Sequence, residues 1–290
     1  MKTISRRKSL RILGTLGLGS ILSAGLSGQI LAKGCEACKE AWKSLGKFTA
    51  KRYQFRYIEP IRDLPKVFIY GDSISIGYTE YARASLEGLA CVYRLHENGG
   101  SSNNFIDKME TLRSSMFKPG LEQGWDFEWD VIHFNVGLHD LKYVLNGKLD
   151  KENGTQVSSL KTYANNLRSI IDYLHSYYPN AKLIFATTTP VPEGEPGRVA
   201  GDAKRYNKAA LKVIKDQKNI GINDLYKFSL PVLDEYATGP GNVHYKAEGS
   251  RMQGIEVARV IGDALGIIPI PCPSTEEITE LFQQYEKPLR

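Results

Sequence analysis

The stretch that most constrains the fold is Val67-Phe68-Ile69-Tyr70 running into Gly71-Asp72-Ser73. Four large, mostly β-forming residues read as a strand buried on both faces, and Gly-Asp-Ser ends it in a tight turn. Cys91–Leu95, Trp129–Val136, Lys182–Thr187 and Ile220–Asn223 read as further strands. Between them, helical spacing runs over 78–89, over 160–177 (Leu160, Tyr163, Leu167, Ile171 and Leu174 on one face) and over 202–217. Ala247–Leu265 closes the series, and the capping box Ser274-Thr275-Glu276-Glu277 starts a terminal amphipathic helix. Strands that alternate with helices predict an α/β chain with a parallel sheet covered on both faces. Right-handed crossovers make that a doubly wound, three-layer α/β/α sandwich with five strands.

In such a sheet the site lies beyond the carboxyl ends of the strands. The loops that start at Ser73, Gly100 and Gly137 all fall there. Serine attacks a carbonyl only when a base takes its proton. His244, in Gly241-Asn242-Val243-His244-Tyr245, is the candidate base for Ser73. The amides of Ser73 and Gly100, and a side chain near residues 135–139, could donate to the developing oxyanion. Each residue also has a plainer reading. Gly-Asp-Ser by itself is a strand-to-helix turn that Asp72 braces, and His133 in mid-strand reads as a hydrogen-bonded core histidine. His96 and His175 are expected in solvent. Glu193, Glu195 and Arg198 either line a substrate entrance or are simply wet.

Gly71-Asp72-Ser73, then Gly100, then Gly137-Leu138-His139-Asp140, then His244 resembles the four-block series of the SGNH (GDSL) hydrolase superfamily. The likeness extends from about Val67 to Leu265, and Tyr206-Asn207 and Ile222-Asn223-Asp224-Leu225-Tyr226 are similar to that family too. It implies a flavodoxin-like sandwich, no metal, no cofactor, and hydrolysis of esters, often acetyl or acyl groups on carbohydrates or lipids. It also implies that Ser73 attacks, His244 is the base and the Gly100 amide lies in the oxyanion hole. Two positions depart from the pattern. The family's third block usually reads Gly-x-Asn-Asp, whereas His139 stands at the asparagine; Asn135, two residues before Gly137, is the competing donor. The family usually places an aspartate three residues before the histidine, but position 241 is glycine and 242 is asparagine. The third member of a triad is therefore open, with Asn242 near the usual place and Asp140, Asp202 and Asp234 unranked.

The formal charge of +6 belongs mostly to the amino end, where Lys2, Arg6, Arg7, Lys8 and Arg11 are met by no acid through residue 32. The remaining chain is near neutral and shows no basic stripe for nucleic acid. Basic residues followed by a Gly-, Ser- and Leu-rich apolar stretch read as an export signal over 1–32, and Ser5-Arg6-Arg7-Lys8 resembles a twin-arginine (Tat) motif. Five glycines in that stretch, and no second apolar segment, argue against a lasting membrane span. Residues 33–64 read as a lead-in of short helix and surface strap, and 65–290 as one catalytic domain. Cys35, Cys38, Cys91 and Cys272 permit disulfides in an exported chain. Cys91 reads as a buried thiol, zinc lacks enough ligands, and Ala32-Lys33-Gly34-Cys35 is a poor lipid-anchor site.

The primary expectation is thus an exported serine esterase, periplasmic or extracellular, that deacylates a small or carbohydrate-borne ester through an acyl-enzyme. The rivals are a non-catalytic carbohydrate-binding or scaffold protein on the same fold, and a lipid-directed esterase or thioesterase. The sequence leaves the substrate and the oligomeric state open.

Overall fold

The computed structural model describes residues 36–118, 121 and 125–287. The export-signal reading and Cys35 lie outside them. The strands are β1 (Lys66–Tyr70), β2 (Cys91–Arg94), β3 (Val131–Phe134), β7 (Lys182–Ala186) and β8 (Ile220–Asn223), all parallel in the order β2-β1-β3-β7-β8. All five residues of β1 and all four of β2 and β3 are buried, as a sheet covered on both faces requires. Helices α2 (Ser73–Ser85), α6 (Leu225–Tyr236) and α7 (Ala247–Leu265) pack together in one layer. Helices α3 (Phe105–Met116), α4 (Leu160–Tyr177) and α5 (Asp202–Lys215) pack in another. The three-layer α/β/α fold with a five-stranded parallel sheet is the one the sequence predicts.

Three features differ from the sequence reading, each for a local reason. Helix α2 starts at Ser73 rather than near 78, because Asp72 Oδ1 accepts from the Ile74 amide at 2.9 Å and caps it there. Helices α3 and α6, and a small antiparallel sheet of β4 (Tyr143–Leu145), β5 (Lys148–Leu149) and β6 (Thr155–Gln156), were not foreseen. The small strands are two or three residues long and largely exposed, so no apolar alternation marks them. The lead-in is more than a strap. Its helix α1, over 36–44, buries Trp42, whose Nε1 donates to Phe55 O at 2.7 Å and whose ring lies 5.7 Å from Trp125. Tyr53 then meets Phe282 and Tyr285 of helix α8 (Thr275–Glu286) at 5.5 and 5.4 Å, which joins the lead-in to the carboxyl-terminal helix. The expected capping box at Ser274 and Glu277 is present.

His96 is a correction: it is 2% exposed, covered by the lead-in at Gly46, whereas the sequence suggested solvent. Cys91 and Cys272 are free thiols, so the disulfide that the cysteine count permits uses neither of them. Among the described residues no helix is long and apolar enough to cross a membrane.

Two glycines set the distance between the helices that matter most. A Cβ at Gly254 of α7 would meet the Tyr78 carbonyl at 2.7 Å and Tyr81 Cβ at 2.5 Å, and one at Gly77 of α2 would meet Ser250 Oγ at 2.9 Å. With no side chain at either point, α2 and α7 pack closely over their first two to three turns. One helix begins with Ser73 and the other three residues after His244. Their close approach is what lets residues 171 positions apart meet.

Candidate active site

Ser73 stands at the end of β1, which lies between β2 and β3, so the loops after those two strands flank it. The Gly99 amide donates to Gly71 O at 3.0 Å, and the Asn135 amide donates to Tyr70 O at 2.9 Å. Both flanking loops are thus tied to the turn that carries the serine. A Cβ at Gly99 would lie 2.8 Å from Gly71 O, so a side chain there would break the first of these ties.

His244 Nε2 lies 2.9 Å from Ser73 Oγ. Its Nδ1 lies 2.8 Å from Asn242 Oδ1, which also accepts from the His244 amide at 3.0 Å. An amide oxygen can only accept, so Nδ1 carries the proton and Nε2 presents a lone pair to the serine hydroxyl. The loop is a narrow hairpin, held by Thr238 N to His244 O at 3.0 Å and Lys246 N to Tyr236 O at 2.7 Å. Gly241, at φ +65°, turns the chain so that residue 242 rather than 241 faces the ring. None of the three aspartates singled out from the sequence reaches His244. Asp140 is fully buried and bound to Ser102, Asp202 pairs with Arg205 at 2.7 Å, and Asp234 is exposed on α6.

The loop after β3 is clamped at three successive carbonyls. Thr188 Oγ1 and Tyr163 Oη donate to Val136 O at 3.1 and 3.0 Å. The Asp140 and Leu141 amides donate to Gly137 O at 2.8 and 3.0 Å, and Arg198 Nε donates to Leu138 O at 2.8 Å. Glu195 and Arg198 form a buried pair at 2.5 Å, so they brace this loop and do not line a wet entrance. Gly137 is at φ +144°, and a Cβ there would lie 2.0 Å from Thr188 Oγ1. Asp140 accepts from the Ser102 amide at 2.9 Å and from its hydroxyl at 2.5 Å, which locks the loop after β2 to the loop after β3. Burial raises the Asp140 carboxyl, while the hydrogen bonds from Ser102 oppose that rise.

The candidate oxyanion donors separate by what they already bind. The Gly100 amide donates to Asn98 Oδ1 at 2.9 Å, so it is taken up within its own loop. Asn135 is 8% exposed, and its Nδ2 donates to Ala186 O at 2.6 Å, joining β3 to β7. His139 is half-buried, and its only hydrogen-bond contact among the described residues is Nδ1 to Lys142 Nζ at 3.3 Å. Burial holds its pKa down at about 4; the Asp72 carboxylate opposes this, and Lys142, Arg198 and Lys108 reinforce it. His133 is a core residue at 0% exposure, 3.2 Å from Asn223 Nδ2. Beside the Ser73–His244 pair a cleft of about 360 Å³ is lined by Ile74, Gly77 and Tyr81 of α2 and by Arg52, Gln54 and Phe282. Among the described residues no group of three or more His, Cys, Asp or Glu side chains is arranged to hold a metal ion.

An α/β/α sheet whose strand ends gather a serine, a histidine and a buried aspartate-braced loop defines a hydrolase of the SGNH type. Residues 69–252 match the family model described as GDSL-like lipase/acylhydrolase, so the chain belongs to that family and is an ester hydrolase. Solved structures share the fold. A lipase/acylhydrolase from Enterococcus faecalis is 20% identical with a TM-score of 0.52, over 73% of this chain and all of the other. An acetyl xylan esterase is 19% identical with a TM-score of 0.50, over 68% of this chain and 99% of the other. No curated protein matches.

Proposed function

We propose that the protein is an exported serine esterase that removes a short acyl group, chiefly acetyl, from a carbohydrate or small-molecule ester through a covalent acyl-enzyme. The observation that carries the reading is the chain Asn242 Oδ1, His244 Nδ1, His244 Nε2, Ser73 Oγ, with separations of 2.8 and 2.9 Å at its two hydrogen bonds. Ser73 Oγ gives its proton to His244 Nε2 and bonds to the ester carbonyl carbon, whose oxygen takes the negative charge. His244 then protonates the departing alcohol oxygen as the carbonyl re-forms, leaving the acyl group on Ser73. A water enters, loses a proton to His244 and attacks the acyl carbon; collapse returns that proton to Ser73 Oγ and frees the acid.

His139 Nε2–H and the Ser73 amide serve the oxyanion. That amide is at the first position of α2, where the helix itself supplies no acceptor, and the positive end of the helix dipole favours the charge. Asn242 orients the imidazole without a formal charge opposite it, so the imidazolium is less stabilised than beside a carboxylate. A cleft near 360 Å³ is at the small end of ligand pockets and suits a short acyl group or one sugar unit better than a long chain. The fold is shared with an acetyl xylan esterase, and the basic, apolar start of the chain supports export.

The test is hydrolysis of p-nitrophenyl esters from acetate to decanoate by the wild type and by Ser73→Ala. The proposal requires a preference for acetate and a loss of at least about 10³-fold in kcat for the variant. An equally active variant removes Ser73 from the reaction, and rates that rise with chain length favour a lipid-directed esterase instead.

A further inference from the structure

The family's third block ordinarily supplies a side-chain amide as donor, and an amide N–H needs no help to stay a donor. An imidazole does. It has two tautomers and a protonated form, and only a proton on the nitrogen that faces the substrate is useful. Substituting histidine at position 139 therefore creates a need that the usual residue does not have.

Lys142 meets that need. Three residues after His139 and half-buried, it places its ammonium 3.3 Å from His139 Nδ1. An ammonium has only protons to give, so at this contact Nδ1 must accept and the ring proton must sit on Nε2. No carboxylate lies within ion-pair distance of the ammonium among the described residues, so it is not drawn elsewhere. The backbone from which both side chains start is held by the bonds to Gly137 O and Leu138 O, which keeps the ammonium within reach of the ring. His139 Nε2 has no hydrogen-bond partner among the described residues, so a proton there is not already committed to another acceptor.

We infer that Lys142 is a positioning residue, which through its hydrogen bond to Nδ1 keeps His139 as the Nε2–H tautomer and so turns a histidine into a fixed oxyanion donor. This rests on the reading above, in which His139 faces the substrate oxygen. As negative charge builds on that oxygen, the ammonium behind the ring polarises the donor, making an ordinary hydrogen bond a charge-assisted one at one remove. The charged groups around the ring are Asp72 from the α2 turn, Lys108 from α3, Lys142 on its own loop and Arg198 from the loop after β7. Burial keeps the ring neutral, with Asp72 working against it and the three cations supporting it, so the tautomer alone decides whether it donates.

Two measurements on the full chain test this, and the first needs no activity. With ¹⁵N-labelled histidine, and His139 assigned by its loss in His139→Asn, the wild type should show a protonated Nε2 and an unprotonated Nδ1 at pH 7. Lys142→Met should give mixed tautomers, and Lys142→Arg should restore the wild-type pattern. An Nδ1–H form in the wild type overturns the inference even if esterase activity is absent, which separates its failure from that of the proposed reaction.

The second is kinetic. Lys142→Met should lower kcat for p-nitrophenyl acetate about tenfold with KM changed less than twofold, Lys142→Arg should recover most of it, and Lys142→Met should cost nothing further in a His139→Ala background. The ratio of wild type to Lys142→Met cancels the His244 limb. It should shrink as pH falls towards about 4, the low value at which burial chiefly holds the ring, since a doubly protonated imidazole donates whichever tautomer it held. A ratio that is flat with pH, with no rescue by arginine, makes Lys142 merely structural and refutes the inference.

Discussion

The residue that holds His244 is an asparagine, and changing its charge without changing its shape gives a sharp test. In Asn242→Asp the oxygen that accepts from Nδ1 at 2.8 Å and from the His244 amide at 3.0 Å stays where it is. What changes is that both hydrogen bonds become charge-assisted. A hydrogen bond to an ionised partner is worth about 1 kcal/mol more than one between neutral groups. Asn242 and His244 are both exposed, so solvent screening cuts the gain to about 0.5–1 kcal/mol. The imidazolium formed as Ser73 attacks is stabilised by that amount, which raises kcat/KM roughly 2- to 5-fold at pH 8. The same carboxylate favours the protonated ring in the free enzyme, so the acid limb of kcat/KM moves up by about 0.4–0.7 pH unit. The variant is thus faster at pH 8 and gains less near pH 6. Asn242→Ala removes the one oxygen that accepts both hydrogen bonds and frees the ring to change tautomer, with a loss of about 10²-fold. A pH–rate profile for p-nitrophenyl acetate reads all three quantities. An Asn242→Asp profile that superimposes on the wild type, or an alanine variant within twofold of it, refutes the claim that Asn242 orients the base.

Three further outcomes follow from the braces around the site. Asp140→Ala leaves the Ser102 amide and hydroxyl without their acceptor in a buried place and should cost about 1–3 kcal/mol in urea unfolding, with a several-fold fall in kcat; an unchanged midpoint and rate would show the two loops to be independent. Gly137→Ala adds a Cβ 2.0 Å from Thr188 Oγ1 at a φ of +144°, so it should lower both stability and activity, whereas the same change at Gly88, which has open space around it, should cost far less. His96 and His133 are buried with pKa values held down at about 4, burial being the main cause in each. Because these values lie below the unfolded one, near 6.5, their contribution is whole above about pH 6.5 and is lost as pH falls towards 4, so the Tm should drop across that window. His133→Gln should flatten the drop, and a Tm constant from pH 7 to 4.5 would contradict it.

Most of the fold was legible because its core is written in uninterrupted apolar strands and long amphipathic helices. Leu160–Tyr177 and Ala247–Leu265 have the bounds their periodicity gives. The shortest pieces escaped: β5 and β6 are two-residue strands and leave no periodic trace. α3 does carry one, since its buried Phe105, Met109, Leu112 and Met116 recur at helical spacing, so that signal was present in the sequence. His96 was misread because a strand-end histidine looks solvated until Gly46, fifty positions away, covers it. In the site, the order of motifs told which residues gather at the strand ends. It could not tell that Asn242 would face the imidazole, since that depends on how Gly241 turns the chain. The Gly100 amide was expected to be free, but the Asn98 side chain two residues earlier takes it. Asn98-Gly99-Gly100 is a short-range side-chain-to-backbone turn, and that signal was present in the letters.

The central claim is that Ser73 is a nucleophile made reactive by His244, and active-site labelling measures it most directly. A fluorophosphonate probe mixed with folded protein should form one covalent adduct, found by mass spectrometry of the digested chain on the peptide that holds Ser73. His244→Ala should slow its formation by about 10³-fold. An adduct on any other serine, or no adduct on protein that unfolds cooperatively and is therefore folded, would contradict the account.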